Sequence, residues 1–251
     1  MTTDAAGVAG PDHVVIEEPL QIVVDGRSVA VTMRTPGHDE ELALGFLRSE
    51  KVIASVSQVR RIDASSRDNH CLVFLAEDVA VDFATLTRHV FSASSCGLCG
   101  KASIEAVMRD QPPLESRGTF NRTSLIAAPG KLAAAQSVFS RTGGLHAAGI
   151  FTADGTMLVV REDIGRHNAV DKVLGWAMRE GRDLSDCFLL VSGRVSFEIM
   201  QKALAGGIPL VAAISAPSSL AIEFAERSNQ ALVAFLRPPS FRIYAGADRV
   251  K

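Results

Sequence analysis

The spacing of apolar positions changes several times along the chain, and each change predicts an element. Leu20 to Val24 and Ser28 to Met33 are β-rich runs joined across Asp25-Gly26-Arg27, a hairpin signal. His38 to Glu50 reads HDEELALGFLRSE, with acidic residues in its first turn and Leu42, Phe46 and Leu47 on one face. That pattern predicts an amphipathic helix whose charges suit its dipole. Segments 58–62 and 70–75 predict further strands, with Cys71 as a core residue. After a polar, proline-bearing connection over 111–124, helical and strand patterns alternate. Helices are predicted over 131–140, 165–180, 193–205 and 217–228, and strands over 147–151, 157–161, 187–191, 208–214 and 230–236. Asp154-Gly155 would turn a hairpin, and Gly181 and Gly206 are placed to end helices. The runs CFLLV and IPLVAAI are apolar throughout, as strands covered on both faces are. The expected fold is α/β: a layered mixed sheet flanked by helices, with a smaller β-rich N-terminal part.

Along the chain this predicts a disordered tail over 1–12, a β-rich subdomain over 13–90, a mobile loop, helix and connection over 91–124, and an α/β core over 125–251. The tail MTTDAAGVAGPD nearly lacks apolar bulk, which suits an unstructured start better than a signal peptide. No apolar run approaches the roughly 20 residues that span a bilayer, so no membrane partner is expected. The formal charge of −2 provides no global basic field, which argues against binding to long nucleic acid. Four cysteines without a secretory segment point to a reducing cytoplasm and free thiols.

Two of those cysteines carry the first candidate chemistry. Phe91 to Met108, FSASSCGLCGKASIEAVM, sets Cys96 and Cys99 in a C-x-x-C with glycines at 97 and 100, ahead of a helical pattern. A thiolate is the reactive form of cysteine, and a helix N-terminus or a cation such as Lys101 favours it. A structural zinc site needs four ligands, commonly in two close pairs, but Cys71 and Cys187 stand alone in apolar segments. A thioredoxin-type pair would usually follow a tryptophan, and the single one is Trp176. The favoured reading is a reactive cysteine on an open loop, with no metal expected. Two chains sharing one zinc ion through the C-x-x-C remains the structural alternative.

Polar clusters at strand and helix ends form a second set of candidates. They are Gly143-Gly144-Leu145-His146, REDIGRHNAVDK over 161–172, Ser192-Gly193-Arg194, and Ser215 to Ser219 with Ser218 before a helix. In open α/β sheets, crevices at strand ends next to helix N-termini bind anions. Taken singly, a serine before a helix is more often a cap. In the 161–172 segment Arg166, His167 and Asn168 offer donors for phosphate and for a heteroaromatic ring, while a solvated charged helix face is the bland reading. His146 is equally well a satisfied interior histidine or a ligand contact.

Seven segments in one order carry a resemblance. They are EEPLQIVVDGR, TMRTPGHDEELALGFL, SSCGLCG, GGLHAAGIF, REDIGRHNAVDKVLGW, VSGRVSFEIMQKA and SAPSSLAIEFAE. Together they resemble the formate dehydrogenase accessory sulfurtransferase family, of the FdhD/NarQ type. The resemblance implies a sulfurtransferase that takes persulfide sulfur from a cysteine desulfurase onto Cys96, with Cys99 assisting or resolving. It implies delivery of that sulfur to the bis(guanine dinucleotide) form of a molybdenum or tungsten cofactor, bound as cargo, before the cofactor enters formate dehydrogenase. A core like that of the cytidine deaminases and a homodimer are implied as well. The family's C-terminal cofactor segment would fall on Phe235, Leu236, Arg237, Pro238, Pro239 and Ser240. Deaminase chemistry itself is not supported: His146-Ala147-Ala148 lacks the glutamate of H-x-E, and the C-x-x-C precedes the histidine. The rival from another class is a cofactor-binding chaperone without sulfur chemistry.

Overall fold

The computed structural model describes residues 2–3, 7, 9–65, 69–83, 112–115 and 118–251. At the N-terminus β1 (Thr2–Thr3) pairs with β2 (Ala9–Gly10) in a short antiparallel ladder, where composition alone predicted an unstructured start. The first full hairpin is β3 (Glu18–Val24) and β4 (Arg27–Arg34), turned by Asp25 and Gly26, both at positive φ. That conformation matches the twist of the flanking strands and explains the Asp-Gly dipeptide. Helix α1 (Asp39–Ser49) follows, then β5 (Val59–Ser65) and β6 (His70–Leu75). The four strands lie in the order β4-β3-β6-β5, with β3 and β6 parallel and the other pairs antiparallel. Leu20, Ile22 and Val24 alternate into a core with Cys71, Val73 and Leu75 of β6 and Leu42, Ala43 and Leu47 of α1.

The larger sheet is built from β7 (His146–Thr152), β8 (Met157–Asp163), β9 (Cys187–Val191), β10 (Leu210–Ala213), β11 (Ala231–Arg237) and β12 (Ser240–Ala245). Its order is β12-β11-β10-β9-β7-β8; β9, β10 and β11 run parallel and the remaining pairs antiparallel. Helices cover both faces, which is why β9 and β10 are apolar at every position. Cys187, Leu189 and Val191 face the core shared with α4 (Arg166–Arg179), α5 (Phe197–Ala205) and α6 (Ser219–Arg227). Phe188 and Leu190 face the opposite core, with Leu125, Ala128 and Leu132 of α2 (Arg122–Ala135). A one-turn helix, α3 (Phe139–Thr142), leads from α2 toward β7.

The two sheets are locked together where α1 crosses α4. A Cβ added to Gly45 would sit 1.8 Å from the Asp171 carbonyl oxygen, and one added to Gly175 would sit 1.8 Å from that of Glu41. The two backbones touch, and glycine is required at both points. Ion pairs removed from water flank the crossing: Arg161 Nη2 donates to Glu41 Oε1 at 2.8 Å, and Lys202 Nζ lies 2.8 Å from both Asp171 carboxylate oxygens. Removing one partner of such a pair leaves an uncompensated buried charge, at a cost of about 3–5 kcal/mol.

Several elements differ from the sequence expectations. The helix expected over 131–140 runs instead from Arg122 to Ala135, so the connection ends earlier; Asn121 caps it by accepting from the Thr123 N–H at 2.7 Å. Pro129 lies inside that helix, where proline is ordinarily disfavoured. The helix expected from 193 begins at Phe197, because Val195 first bridges Pro217. Strand β12 carries no apolar run and was not foreseen, pairing with β11 across Pro238 and Pro239.

Candidate functional site

The register of the large sheet brings the scattered polar clusters to one edge. His146 opens β7 opposite Asp163, the last residue of β8, and Ala148 lies opposite Val191, the last residue of β9. Val191 in turn is level with Ala213 at the end of β10. The loops after β8, β9, β10 and β11 and the start of β7 therefore all open on the same side. Backbone bonds knit them: Ser192 N–H donates to Ala147 O at 2.9 Å, Val195 N–H to Ala216 O at 3.1 Å, and Phe235 N–H to Ser215 O at 3.1 Å. The Ser192 hydroxyl accepts from Ala147 N–H at 2.9 Å, which makes it a support for the edge.

His146, Gly193 and Arg166 meet at the centre. A Cβ added to Gly193 would lie 3.4 Å from His146 Nδ1 and 3.7 Å from Arg166 Cδ, so the glycine leaves the two side chains close together. Arg166 Nε is buried and has no hydrogen-bond partner among the described residues, an arrangement that calls for an incoming acceptor. Arg194 is exposed beside them. Burial, and then the charges of Arg166, His167 and Arg194, hold the His146 pKa below its ordinary value, with Asp163 opposing. Helices α4 and α5 begin here with no side chain bonded to their first N–H groups. These orphan donors and the arginines make the edge complementary to phosphate.

The REDIGRHNAVDK segment divides into two roles. Asp163 is fully buried and accepts from Gly165 N–H at 2.8 Å, Asn168 Nδ2 at 3.0 Å and Thr35 N–H at 3.2 Å, with Lys172 Nζ at 2.7 Å. Asn168, expected as a ligand contact, is buried: its amide donates to Met33 O at 2.8 Å as well as to Asp163, and its oxygen accepts from Thr32 Oγ1 at 3.1 Å. It braces the edge against β4. Arg166 and His167 remain at the edge, and His167 Nε2 lies 2.9 Å from Glu198 Oε2. Neither Glu198 nor the bracing by Thr35 and Lys172 was read from the sequence. A signal was available for a different buried pair: Asp171 stands three residues before Leu174 on the apolar stripe of α4, a position that buries a carboxylate and demands partners, which are Ser49 and Lys202.

The remaining candidates vary in what they offer. Ser218 is a cap, its hydroxyl accepting from Ala221 N–H at 3.2 Å. Leu236 points into the core under α2, and Phe235 is partly buried at positive φ with the Arg242 guanidinium 5.1 Å from its ring centroid. Arg237, Pro238, Pro239 and Ser240 are exposed on the β11–β12 turn, and Arg237 Nε donates to Ile214 O at 3.2 Å. Cys96 and Cys99 lie outside the described residues. Cys71 and Cys187 are buried, and burial pushes both thiols up to about 12. Among the described residues no cluster of His, Cys, Asp and Glu is placed to hold a metal ion, and no helix is long and apolar enough to cross a membrane.

Comparison with known proteins adds a family match. The chain matches the FdhD/NarQ family over residues 15–251. It is 50% identical to the sulfur carrier protein FdhD of Mycolicibacterium paratuberculosis, covering 99% of this chain and 95% of that one. Identity to the sulfur carrier protein FdhD of Sulfolobus acidocaldarius is 42%, covering 98% and 94%. A crystal structure from Desulfotalea psychrophila, assigned as a formate dehydrogenase accessory protein, superposes with a TM-score of 0.81 at 24% identity, covering 100% of this chain and 96% of that one. That last likeness is one of fold.

Proposed function

Because the chain belongs to the FdhD/NarQ family, we propose that it is a sulfur carrier serving formate dehydrogenase. It takes sulfur from a cysteine desulfurase on Cys96 and passes it to a molybdenum or tungsten bis(guanine dinucleotide) cofactor held as cargo at the sheet edge. The carrier works in the cytoplasm as a homodimer. The Cys96 thiolate attacks the outer sulfur of the desulfurase persulfide, forming a new S–S bond and releasing the desulfurase thiolate. Cys99 assists or resolves.

The observation that carries the cargo site is the convergence of Arg166, His167 and Arg194 around His146, with Arg166 Nε buried and unsatisfied among the described residues. A guanine dinucleotide brings several phosphates to a chain of near-zero net charge, so local donors must meet them. The guanidinium groups and the open N–H groups of α4 and α5 are suited to the phosphates, and His146 and His167 to a ring edge. Asp163 and Lys172 act beneath them, fixing the turn that presents Arg166 and His167. Residues 237–240 form an exposed turn bordering the same edge, a second place for cargo contacts.

Mass measurement after incubation with a desulfurase and cysteine tests the carrier role. A carrier gains sulfur on Cys96, and Cys96→Ala gains none. Unmodified wild-type protein that nevertheless binds the guanine dinucleotide would instead establish the cofactor-binding chaperone. Zinc retained by the wild type and lost in both cysteine variants would establish the bridged-dimer alternative.

A further inference from the structure

We infer that His146 is a proton-accepting contact of the edge site: an anionic ligand that settles among Arg166, His167 and Arg194 binds together with a proton on the His146 imidazole. This rests on the cargo-site reading and adds a proton that arrives with the cargo.

Geometry and charge both lead there. The half-buried His146 ring lies 3.4 Å from where a Gly193 Cβ would be, on the point that Arg166 approaches at 3.7 Å. The charged groups around it are Asp163 from β8, Arg166, His167 and Lys172 from α4, Arg194 from the loop after β9, and Glu198 from α5. Both carboxylates are already engaged. Asp163 accepts from four donors, one of them Lys172 at 2.7 Å, and Glu198 holds His167 Nε2 at 2.9 Å. Arg166 and Arg194 therefore face the imidazole with no carboxylate bonded to either of them among the described residues; Asp163 offsets their field only in part, and burial disfavours the ring's charge further. This agrees with the lowered pKa.

An anion in that space reverses the field. An opposite charge within about 4–6 Å favours the charged form of a group, commonly by one to three pH units. The bound-state pKa then exceeds the free-state value, and between the two, binding takes up a proton. Below the free value His146 is charged in both states, and above the bound value it is neutral in both. Affinity thus falls as pH rises through that window, by at most tenfold per pH unit for one proton. Once protonated, both ring nitrogens donate, so the ring that was repelled by its neighbours becomes a further contact to phosphate.

Calorimetry with diguanosine 5′,5′-pyrophosphate, in buffers of different ionisation enthalpy near pH 7, counts the proton. Each phosphate of the probe carries one ester and one anhydride link and a single strongly acidic oxygen, which does not titrate there. Wild-type protein should take up a fraction of a proton, up to one, and its affinity should fall with rising pH. His146→Gln, which loses that contact, should bind more weakly, with no uptake and little pH dependence. Binding by the wild type without proton uptake overturns the inference alone, as does uptake that persists in a folded His146→Gln. Failure of the wild type to bind the dinucleotide overturns the cargo-site reading, and this inference with it.

Discussion

A native protein treated with an aromatic disulfide such as 5,5′-dithiobis(2-nitrobenzoate) should react at Cys96 and Cys99 well before Cys71 and Cys187. The expected gap follows from the buried pair. Burial, with Asp39, Glu40 and Asp63 nearby, pushes the Cys71 thiol up to about 12; burial and a hydrogen bond to Asp186 do the same for Cys187. At pH 8 such a thiol is ionised in about one molecule in ten thousand, against roughly one in four for an ordinary thiol of pKa about 8.5. A more basic thiolate is intrinsically more nucleophilic, with a Brønsted slope of about 0.4–0.5, which returns a factor of roughly forty. A deficit of roughly sixtyfold remains. Access lowers the rate further: Cys71 is 0% and Cys187 1% exposed, so reagent must penetrate the closed core to reach either thiol. The assay follows thionitrobenzoate release and locates the label by peptide mass. The slow phase should accelerate with pH, because the thiolate population of the buried pair grows up to about pH 12. Labelling of Cys71 or Cys187 as fast as the C-x-x-C pair would refute the division into buried and reactive thiols, and the choice of Cys96 as carrier with it.

Three further outcomes are expected. Cys96→Ala should abolish maturation of formate dehydrogenase activity while Cys99→Ala is milder, read in cells lacking the wild-type chain; equal loss would remove the distinction between carrier and helper. Arg166→Ala and Arg194→Ala should each weaken guanine dinucleotide binding by roughly one to two orders of magnitude, the ~1.5–3 kcal/mol of a charge-assisted hydrogen bond, yet leave sulfur loading of Cys96 intact; unchanged affinity would move the site elsewhere. Gly175→Ala should lower the urea midpoint, because its Cβ would lie 1.8 Å from the Glu41 carbonyl oxygen and α1 and α4 must part; overpacking usually costs about 1–3 kcal/mol, and an unchanged midpoint would show that the helices do not touch.

Much of the fold was legible because its signals are local. Alternation in β3 and β6, the Asp25-Gly26 turn, unbroken apolar runs in β9 and β10, and the periodic face of α4 depend only on neighbours along the chain. Where local signals conflict or are absent, the reading failed: Pro129 disguised the start of α2, and the mixed composition of β12 concealed a strand that exists because β11 offers it an edge. The sequence by itself singled out the candidate residue types: the C-x-x-C, the arginines, the histidines and the glycine-bearing turns. It could not sort Arg166 and His167 from Asn168, since all three open one charged helix. Tertiary structure decided that. Strand register brought His146, Asp163, Val191 and Ala213 to one edge, and packing of β4 and α1 against α4 turned Asn168, Asp171 and Lys172 inward to buried partners, leaving Arg166 and His167 at the edge. The physical reason is that a buried charge persists only when paired, and its partners, Ser49 and Lys202 for Asp171 or Thr35 and Asp163 for Lys172, come from chain segments that only folding brings together.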